Sequence, residues 1–241
     1  MLLGPLRPEF FATRSVAQRI GTHLMSRARK AATGRVDLAP MPGGFGTPAF
    51  GADHRVIRVD GDALIIESTG DPVSTRIVPI NRTTLAVLAD AAGVVLTDDF
   101  DVGHDTPKLG NVHAPLSADG TSMTQMGAWF ALGSMTIDRV LGSLEHGGTP
   151  GRTRIWPEHF DLGVDVAAAS GTRVNLGASV GDSSHAEPYL YVGPWEPLRP
   201  GDDGYWNASF GAVLSYSEVL AAEDPLAMAV AFMREGIDRL A

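Results

Sequence analysis

The sequence predicts an α+β protein in which an antiparallel β-sheet packs against three main amphipathic helices. Apolar residues recur at helical spacing over residues 10–32, 122–146 and 217–240. After Gly151 the apolar residues instead alternate with a period of two, and earlier in the chain an Asp-Gly pair separates two β-rich runs. Because strand and helix runs are segregated along the chain, a parallel sheet built from βαβ units is disfavoured.

The composition of the chain excludes several classes of protein function. The chain has 241 residues, 44 % of them hydrophobic and 20 % charged, which is typical of a globular protein able to bury a core. Cysteine is absent, which excludes disulfides, thiolate metal sites and cysteine nucleophiles. The formal net charge of −9 argues against a nucleic-acid partner. The chain start does not resemble a signal peptide, and no apolar run reaches the roughly 20 residues of a membrane helix, so we expect a cytoplasmic protein without a membrane partner.

The N-terminal elements follow from periodicity and turn residues. A helix over 10–32 is predicted by its apolar stripe and by Gly34 at its end. The Pro- and Gly-rich segment 40–48 predicts an irregular loop. Asp60-Gly61 predicts a hairpin between strands at 55–59 and 63–67.

Further along, the chain predicts a strand at 75–78, a short helix at 84–89 with Asn81 at its N-cap and Gly93 at its end, and another strand at 94–96. Residues 97–120 are rich in Asp, Gly, Pro and Asn and show no periodicity. We interpret them as a long connection of the kind that is often functional or mobile.

The second half begins with the aromatic-rich helix 122–146, which Gly147-Gly148 ends. At the C-terminus, Asp224-Pro225 provides an N-cap followed by proline at the first helical position. We predict one interlocked unit over 1–241. A sub-boundary near 148–152 would separate the N-terminal helix and hairpin part from a C-terminal β-meander plus helix.

The strand pattern after Gly151 specifies a register. With a three-residue loop at 169–171, apolar residues face each other in three pairs: Phe160 with Val180, Val164 with Leu176, and Val166 with Val174. A slip of one residue would destroy every one of these matches. The same register places His159 opposite Gly181 and Asp161 opposite Ser179.

Two His-x-acid pairs are the candidate catalytic or metal-binding residues. His159 and Asp161 form the first pair, and His185 and Glu187 repeat the pattern where the next strand is expected. If the pairs converge at one end of the sheet, these four residues could bind a divalent metal such as Zn, Mn or Fe, or act as general acid and base. The alternative is a solvated sheet face on which they simply contact water.

Neighbouring residues could complete a pocket. Tyr189, Tyr191 and Trp195 can line it and orient a ligand, although the same aromatic residues could equally be rim packing. Ser179 and Asp182 are further candidate ligand-binding residues, and His113 would join if the long connection folds over the sheet.

The segment 177–181 reads Gly-x-Ser-x-Gly, the nucleophile elbow of α/β-hydrolases. That elbow requires a following helix and a later histidine. Here another strand is expected after residue 184 and no histidine follows His185, so the α/β-hydrolase interpretation is rejected.

Three motifs, WPEHFD at 156–161, GASVGD at 177–182 and HAEPYLYVGPW at 185–195, resemble a family of uncharacterised bacterial proteins common in actinobacteria. The resemblance covers about residues 155–195. It implies a bacterial cytoplasmic origin and carries no mechanism.

The leading hypothesis is a protein that binds a small polar molecule in a pocket lined by His, Asp, Glu and Tyr. The first alternative is a metal-dependent hydrolase or isomerase that uses His159, Asp161, His185 and Glu187. The second alternative is a protein-interaction module that uses the aromatic segment. The sequence does not decide between a monomer and a homo-oligomer.

Overall fold

The computed structural model of the chain describes residues 3–144, 151–197, 199–201 and 204–241. It confirms the α+β class, with two five-stranded antiparallel sheets. The helices are α1 (Phe10–Arg19), a π-helical segment (Ile20–Ser26), α2 (Arg27–Thr33), α3 (Leu85–Ala91), α4 (Gly120–Leu141), α5 (Tyr216–Ala221) and α6 (Pro225–Arg239). Within the described ranges, no helix is long and apolar enough to cross a membrane.

The strands fall into two sheets. The first has the order β1-β2-β3-β4-β5, and the second has the order β10-β9-β8-β7-β6. Their bounds are β1 (Ala39–Met41), β2 (Gly44–Gly46), β3 (Val56–Asp60), β4 (Ala63–Ser68), β5 (Ser74–Pro79), β6 (Arg154–Trp156), β7 (Asp161–Ala167), β8 (Arg173–Ser179), β9 (Tyr189–Pro194) and β10 (Ala212–Ser215).

The chain divides into two compact units. The first contains residues 1–128 and 155–160, and the second contains residues 129–154 and 161–241. The sub-boundary expected near 148–152 stays a prediction, and residues 148–150 lie outside the described part of the chain.

The first sheet contains the predicted hairpin and one that was missed. Gly61, at φ +58°, turns β3 into β4 as the Asp-Gly pair indicates. The predicted irregular loop at 40–48 is wrong, because β1 and β2 pair across Pro42 and Gly43. Gly43 has φ +76°, and a Cβ at Gly44 would lie 2.5 Å from the carbonyl oxygen of Val59. The glycines therefore permit close pairing of the strands in a segment whose Pro and Gly content had predicted an irregular loop.

The predicted N-terminal helix is confirmed, with a π-helical segment in its middle. One side of it carries a row of cationic and imidazole side chains, which we call the basic stripe: Arg19, His23, Arg27 and Lys30. These side chains bind backbone carbonyls of the long connection at Leu109, Pro107 and Asp101, and the Val95 carbonyl just before it, over 2.6–3.1 Å. The basic stripe thus fixes a segment that has no regular structure of its own. The strand predicted at 94–96 is wrong, because these residues have no regular structure.

The second sheet has the register that the sequence predicts over most of its length. Asp161 pairs with Ser179, Val164 with Leu176, and Val166 with Val174. The predicted partners of Phe160 and His159 are wrong, because Phe160 has φ +53° and β7 begins only at Asp161. A left-handed residue ends the alternation of side chains that the prediction assumed.

The remaining helices agree with the predicted stripes, with changed boundaries, and the predicted N-cap Asn81 is wrong because the Thr84 side chain caps α3. The region 122–146 contains α4, which begins at Gly120 and ends at Leu141, and positions 145 and 146 lie outside the described residues. The region 217–240 contains two helices. A capping box of Ser215 and Glu218 starts α5, and Asp224 caps α6 ahead of Pro225.

Candidate ligand site

The polar face of the second sheet is set by strand register. Side chains alternate between the two faces, so Asp161, Ser179 and Tyr189 lie side by side across β7, β8 and β9. The next row on this face holds Gly177 and Tyr191. The opposite face buries the apolar residues Leu162, Val164, Val166, Val174, Leu176, Leu190 and Val192.

Gly177 allows Tyr191 to cross the sheet. A Cβ at this glycine would overlap the Tyr191 ring and hydroxyl. Because β8 lies between β9 and β7, the ring passes over Gly177 and reaches Asp161, to whose Oδ2 its hydroxyl donates a hydrogen bond of 2.5 Å. The missing side chain at Gly177 therefore allows the hydrogen bond between Tyr191 and Asp161.

Asp182 is the second carboxylate of this face. It lies in the loop after β8 and accepts hydrogen bonds from the Tyr189 hydroxyl at 2.5 Å and from the backbone N–H groups of Ser184 and His185 at 2.6 and 2.9 Å. Burial acts to raise the pKa of Asp182, but these hydrogen bonds outweigh it and the pKa is lowered. The side chain therefore stays ionised at neutral pH.

Aromatic rings surround the two carboxylates. The His185 ring lies 5.1 Å from that of Tyr189, and the Phe210 ring lies 6.3–6.5 Å from those of Tyr191, His185 and Tyr189. Phe210 is 38 % exposed, whereas Tyr189 is only 6 % exposed. We call the whole set the tyrosine–aspartate cluster: Asp161, Asp182, His185, Tyr189, Tyr191 and Phe210.

Both tyrosines of the cluster are held in their neutral form. Burial is the main cause that raises the pKa of Tyr189, and the hydrogen bond to Asp182 adds to it. For Tyr191, burial and the nearby charge of Asp161 raise the pKa well above its ordinary value. The hydroxyls are therefore fixed as donors to the carboxylates.

Other predicted site residues have separate roles. Ser179 is buried, and its carbonyl accepts a 2.7 Å hydrogen bond from the indole of Trp129. Glu187 accepts hydrogen bonds from the backbone N–H and the hydroxyl of Ser217, at 3.2 and 3.1 Å, in the first turn of α5. Trp195 is exposed and donates from its indole to the Asn175 side chain at 3.1 Å. Glu187 thus contacts a helix start, and Trp195 lies at the far end of the β8–β9 pair.

His159 belongs to the first unit. Its turn is held by α1 and the π-helical segment, where Gln18 and Thr22 donate to the carbonyls of Glu158 and Pro157 at 2.8 and 2.9 Å. The other predicted histidine of this unit, His113, is exposed in the long connection.

The partner of His159 is a carboxylate that sequence reasoning did not select. His159 Nδ1 lies 3.1 Å from Asp105 Oδ2, and His104 Nε2 lies 3.1 Å from the same oxygen. The two imidazole rings are 5.7 Å apart. We call His104, Asp105 and His159 the Asp105 cluster.

Each of the four residues proposed as metal ligands has a contact partner within its own unit. Asp161 binds Tyr191, Glu187 binds Ser217, His185 packs on Tyr189, and His159 binds Asp105. Across the described ranges, no group of three or more His, Asp or Glu side chains is arranged to hold a metal ion.

Two contributors to these clusters were missed for different reasons. Asp105 lies in a connection without periodicity, so no pattern indicated which element it approaches. Phe210 lies in a tight turn closed by paired hydrogen bonds between Ala208 and Gly211, just before β10. The one sequence feature that could have indicated Phe210 is an aromatic residue in a turn directly before a strand.

Chemically, the tyrosine–aspartate cluster offers two carboxylates, aromatic surface and one imidazole. The buried Nδ1 atom of that imidazole, on His185, has no hydrogen-bond partner among the described residues. The chain matches no protein-family model, no curated protein and no solved structure.

Proposed function

We propose that the second unit binds a small polar molecule at the tyrosine–aspartate cluster. The observation that carries this proposal is the pair of hydroxyl–carboxylate bonds, Tyr191 to Asp161 and Tyr189 to Asp182, each 2.5 Å long on one sheet face. They orient charged groups beside exposed aromatic surface, which is the composition of a ligand site.

Preorganisation supports binding over a merely solvated face. On a face that only contacts water, Asp and Tyr side chains need no fixed mutual geometry. Here Gly177 makes room for one ring, and backbone N–H groups hold Asp182 in one orientation. A ligand that meets fixed groups avoids the entropic cost of ordering them.

The test is a panel of neutral sugars, organic acids and organic amines, each measured by its effect on the melting temperature and then by calorimetric titration. We expect at least one class to stabilise the wild-type protein, and Tyr191→Phe to lose that stabilisation. Tyr205→Phe is the matched control, because the Tyr205 hydroxyl donates to the Phe232 carbonyl outside the cluster. Absence of stabilisation by every class, or equal stabilisation of the Tyr191→Phe variant, would overturn the proposal.

A further inference from the structure

We infer that the ligand of the tyrosine–aspartate cluster is a methylated ammonium ion, recognised by negative charge and aromatic ring faces. This inference rests on the proposed function and names the chemical class of the ligand. Its elements are the carboxylate of Asp182, the accessible ring of Phe210 and the two hydroxyl-bonded tyrosine rings.

The charge of Asp182 is stabilised mainly by hydrogen bonds, with a smaller coulombic contribution from the His185 side chain. Among the residues that the structure describes, its partners are one phenol and two backbone N–H groups, and no ion pair includes it. Asp165 on the same sheet face provides the contrast, because Arg173 pairs with it. A cationic ligand at Asp182 would therefore meet a carboxylate that no arginine or lysine of the described chain neutralises.

The rings favour a cation for a second reason. A cation is attracted to the negative face of an aromatic ring, and the attraction increases as the ring becomes richer in electrons. A phenol that donates its proton toward a carboxylate gains electron density, and both Tyr189 and Tyr191 do so at 2.5 Å. Phe210, which contacts both tyrosines, is the ring most open to a ligand.

The acceptor count distinguishes a methylated ammonium from a primary amine. A carboxylate offers about four acceptor positions, and three at Asp182 are filled by Tyr189, Ser184 and His185. A primary ammonium would bring three N–H donors to a place with few remaining acceptors, and donors left without partners cost binding energy. A quaternary ammonium carries the charge without N–H donors, so it needs only the carboxylate field and the ring faces.

The experiment compares choline with 3,3-dimethyl-1-butanol, which has the same shape without the charge, by calorimetric titration of the full chain. We expect choline to bind about tenfold more tightly, the size of a typical cation–π contribution. Butylammonium should bind more weakly than choline. Equal binding of choline and its neutral isostere, or tighter binding of butylammonium, would overturn the inference.

Three variants locate the effect. Phe210→Leu and Asp182→Asn should each remove the preference for choline, whereas Asp165→Asn should retain it. If Asp182→Asn does not fold, as judged by circular dichroism, the half-exposed Phe210→Leu decides the outcome. A preference for choline that survives in Phe210→Leu would contradict the assignment.

Failure of the inference is distinguishable from failure of the proposed function. A neutral sugar or an organic acid that binds the wild-type protein and not Tyr191→Phe, with no binding of choline, would refute the cation and retain the ligand site. Absence of binding by choline and by every class of the wider panel would refute both.

Discussion

The two units each hold a cluster of ionisable side chains, and the clusters differ in what holds their carboxylates. In the Asp105 cluster, two imidazoles approach one oxygen, and the side chains are open to water, with 51 % exposure for Asp105 and 83 % for His104. In the tyrosine–aspartate cluster, phenols and backbone N–H groups hold Asp161 and Asp182, and Tyr189 is almost fully buried.

The difference shows that the charge state and orientation of a carboxylate depend on the groups that donate hydrogen bonds to it. Phenols and amides remain donors across the neutral range, so they hold a carboxylate in one charge state and one orientation. Imidazole is the side chain that changes charge nearest neutral pH, and exposed ion pairs contribute little to stability. The sequence selected histidines as the centre of the site, whereas the best-ordered polar contacts involve tyrosines.

The largest expected effect is that of Gly177→Ala. The new Cβ would displace the Tyr191 ring and break its bond to Asp161. We expect the free energy of unfolding in urea to fall by about 2–3 kcal/mol, within the range of overpacking substitutions. Gly193→Ala is the control, because a Cβ there would approach no atom closer than 3.9 Å. Equal losses in both variants would show that strand glycines, and not the tyrosine contact, determine the result.

The next effect is expected at alkaline pH. Burial is the main cause that raises the pKa of Tyr189, Tyr191 and Tyr205, three of the four tyrosines of the chain. Because the folded state keeps these protons more tightly, their contribution to stability is complete below about pH 10 and is lost as the pH rises further. Absorbance at 295 nm should therefore show their ionisation only as the protein unfolds. Reversible ionisation of three tyrosines near pH 10 in the folded protein would contradict their burial.

A smaller effect is expected for Asp182→Asn at acid pH. The pKa of Asp182 is lowered in the folded state, so its stabilisation is present above the ordinary aspartate pKa of about 4 and is lost as the pH falls through the folded-state value. The variant should lose about 1–2 kcal/mol at pH 7, the cost of weakening hydrogen bonds to a charged group. Urea unfolding between pH 7 and 2.5 should show a smaller decrease for the variant than for the wild type. Parallel pH curves would show that Asp182 is ordinary in the folded state.

The smallest effect is expected for Asp105→Asn, and it tests the comparison directly. An exposed carboxylate between two exposed imidazoles should contribute no more than about 0.5 kcal/mol to unfolding at pH 7. The same urea measurement applies, with Asp182→Asn in parallel. If Asp105→Asn costs as much as Asp182→Asn, exposure does not separate the two clusters.

The sequence predicted the sheet register well because alternation constrains every pair at once. Asp161 faces Ser179 as expected, and the helices lie where apolar stripes indicated them. The prediction became wrong at Phe160, where one left-handed residue in a turn ends the alternation. No pattern of residue types reveals such a φ angle outside Gly and Asn.

The candidate site was predictable in part for the same reason. Tyr189, Tyr191 and Asp182 were selected from strand alternation and loop position, and the structure joins them to Asp161 through hydrogen bonds and ring contacts. Tyr191 reaches over Gly177 only because β8 lies between β9 and β7 in the sheet, and this strand order cannot be read from the local sequence. The bacterial family resemblance and the cytoplasmic location remain predictions.

The π-helical segment has a consequence for which changes of chain length this protein can accept. An α-helix turns about 100° per residue, and π-helical hydrogen bonds accommodate an additional residue within one turn. Deleting one residue between Ile20 and Ser26 would therefore allow regular α-helix with Arg27 and Lys30 still on the face of Arg19, whereas regular α-helix at the present length would rotate them by about 100°. Their bonds to Val95 and Asp101 depend on that phase. A one-residue deletion in this segment is therefore expected to keep these bonds, whereas a one-residue insertion would rotate Arg27 and Lys30 away from Val95 and Asp101.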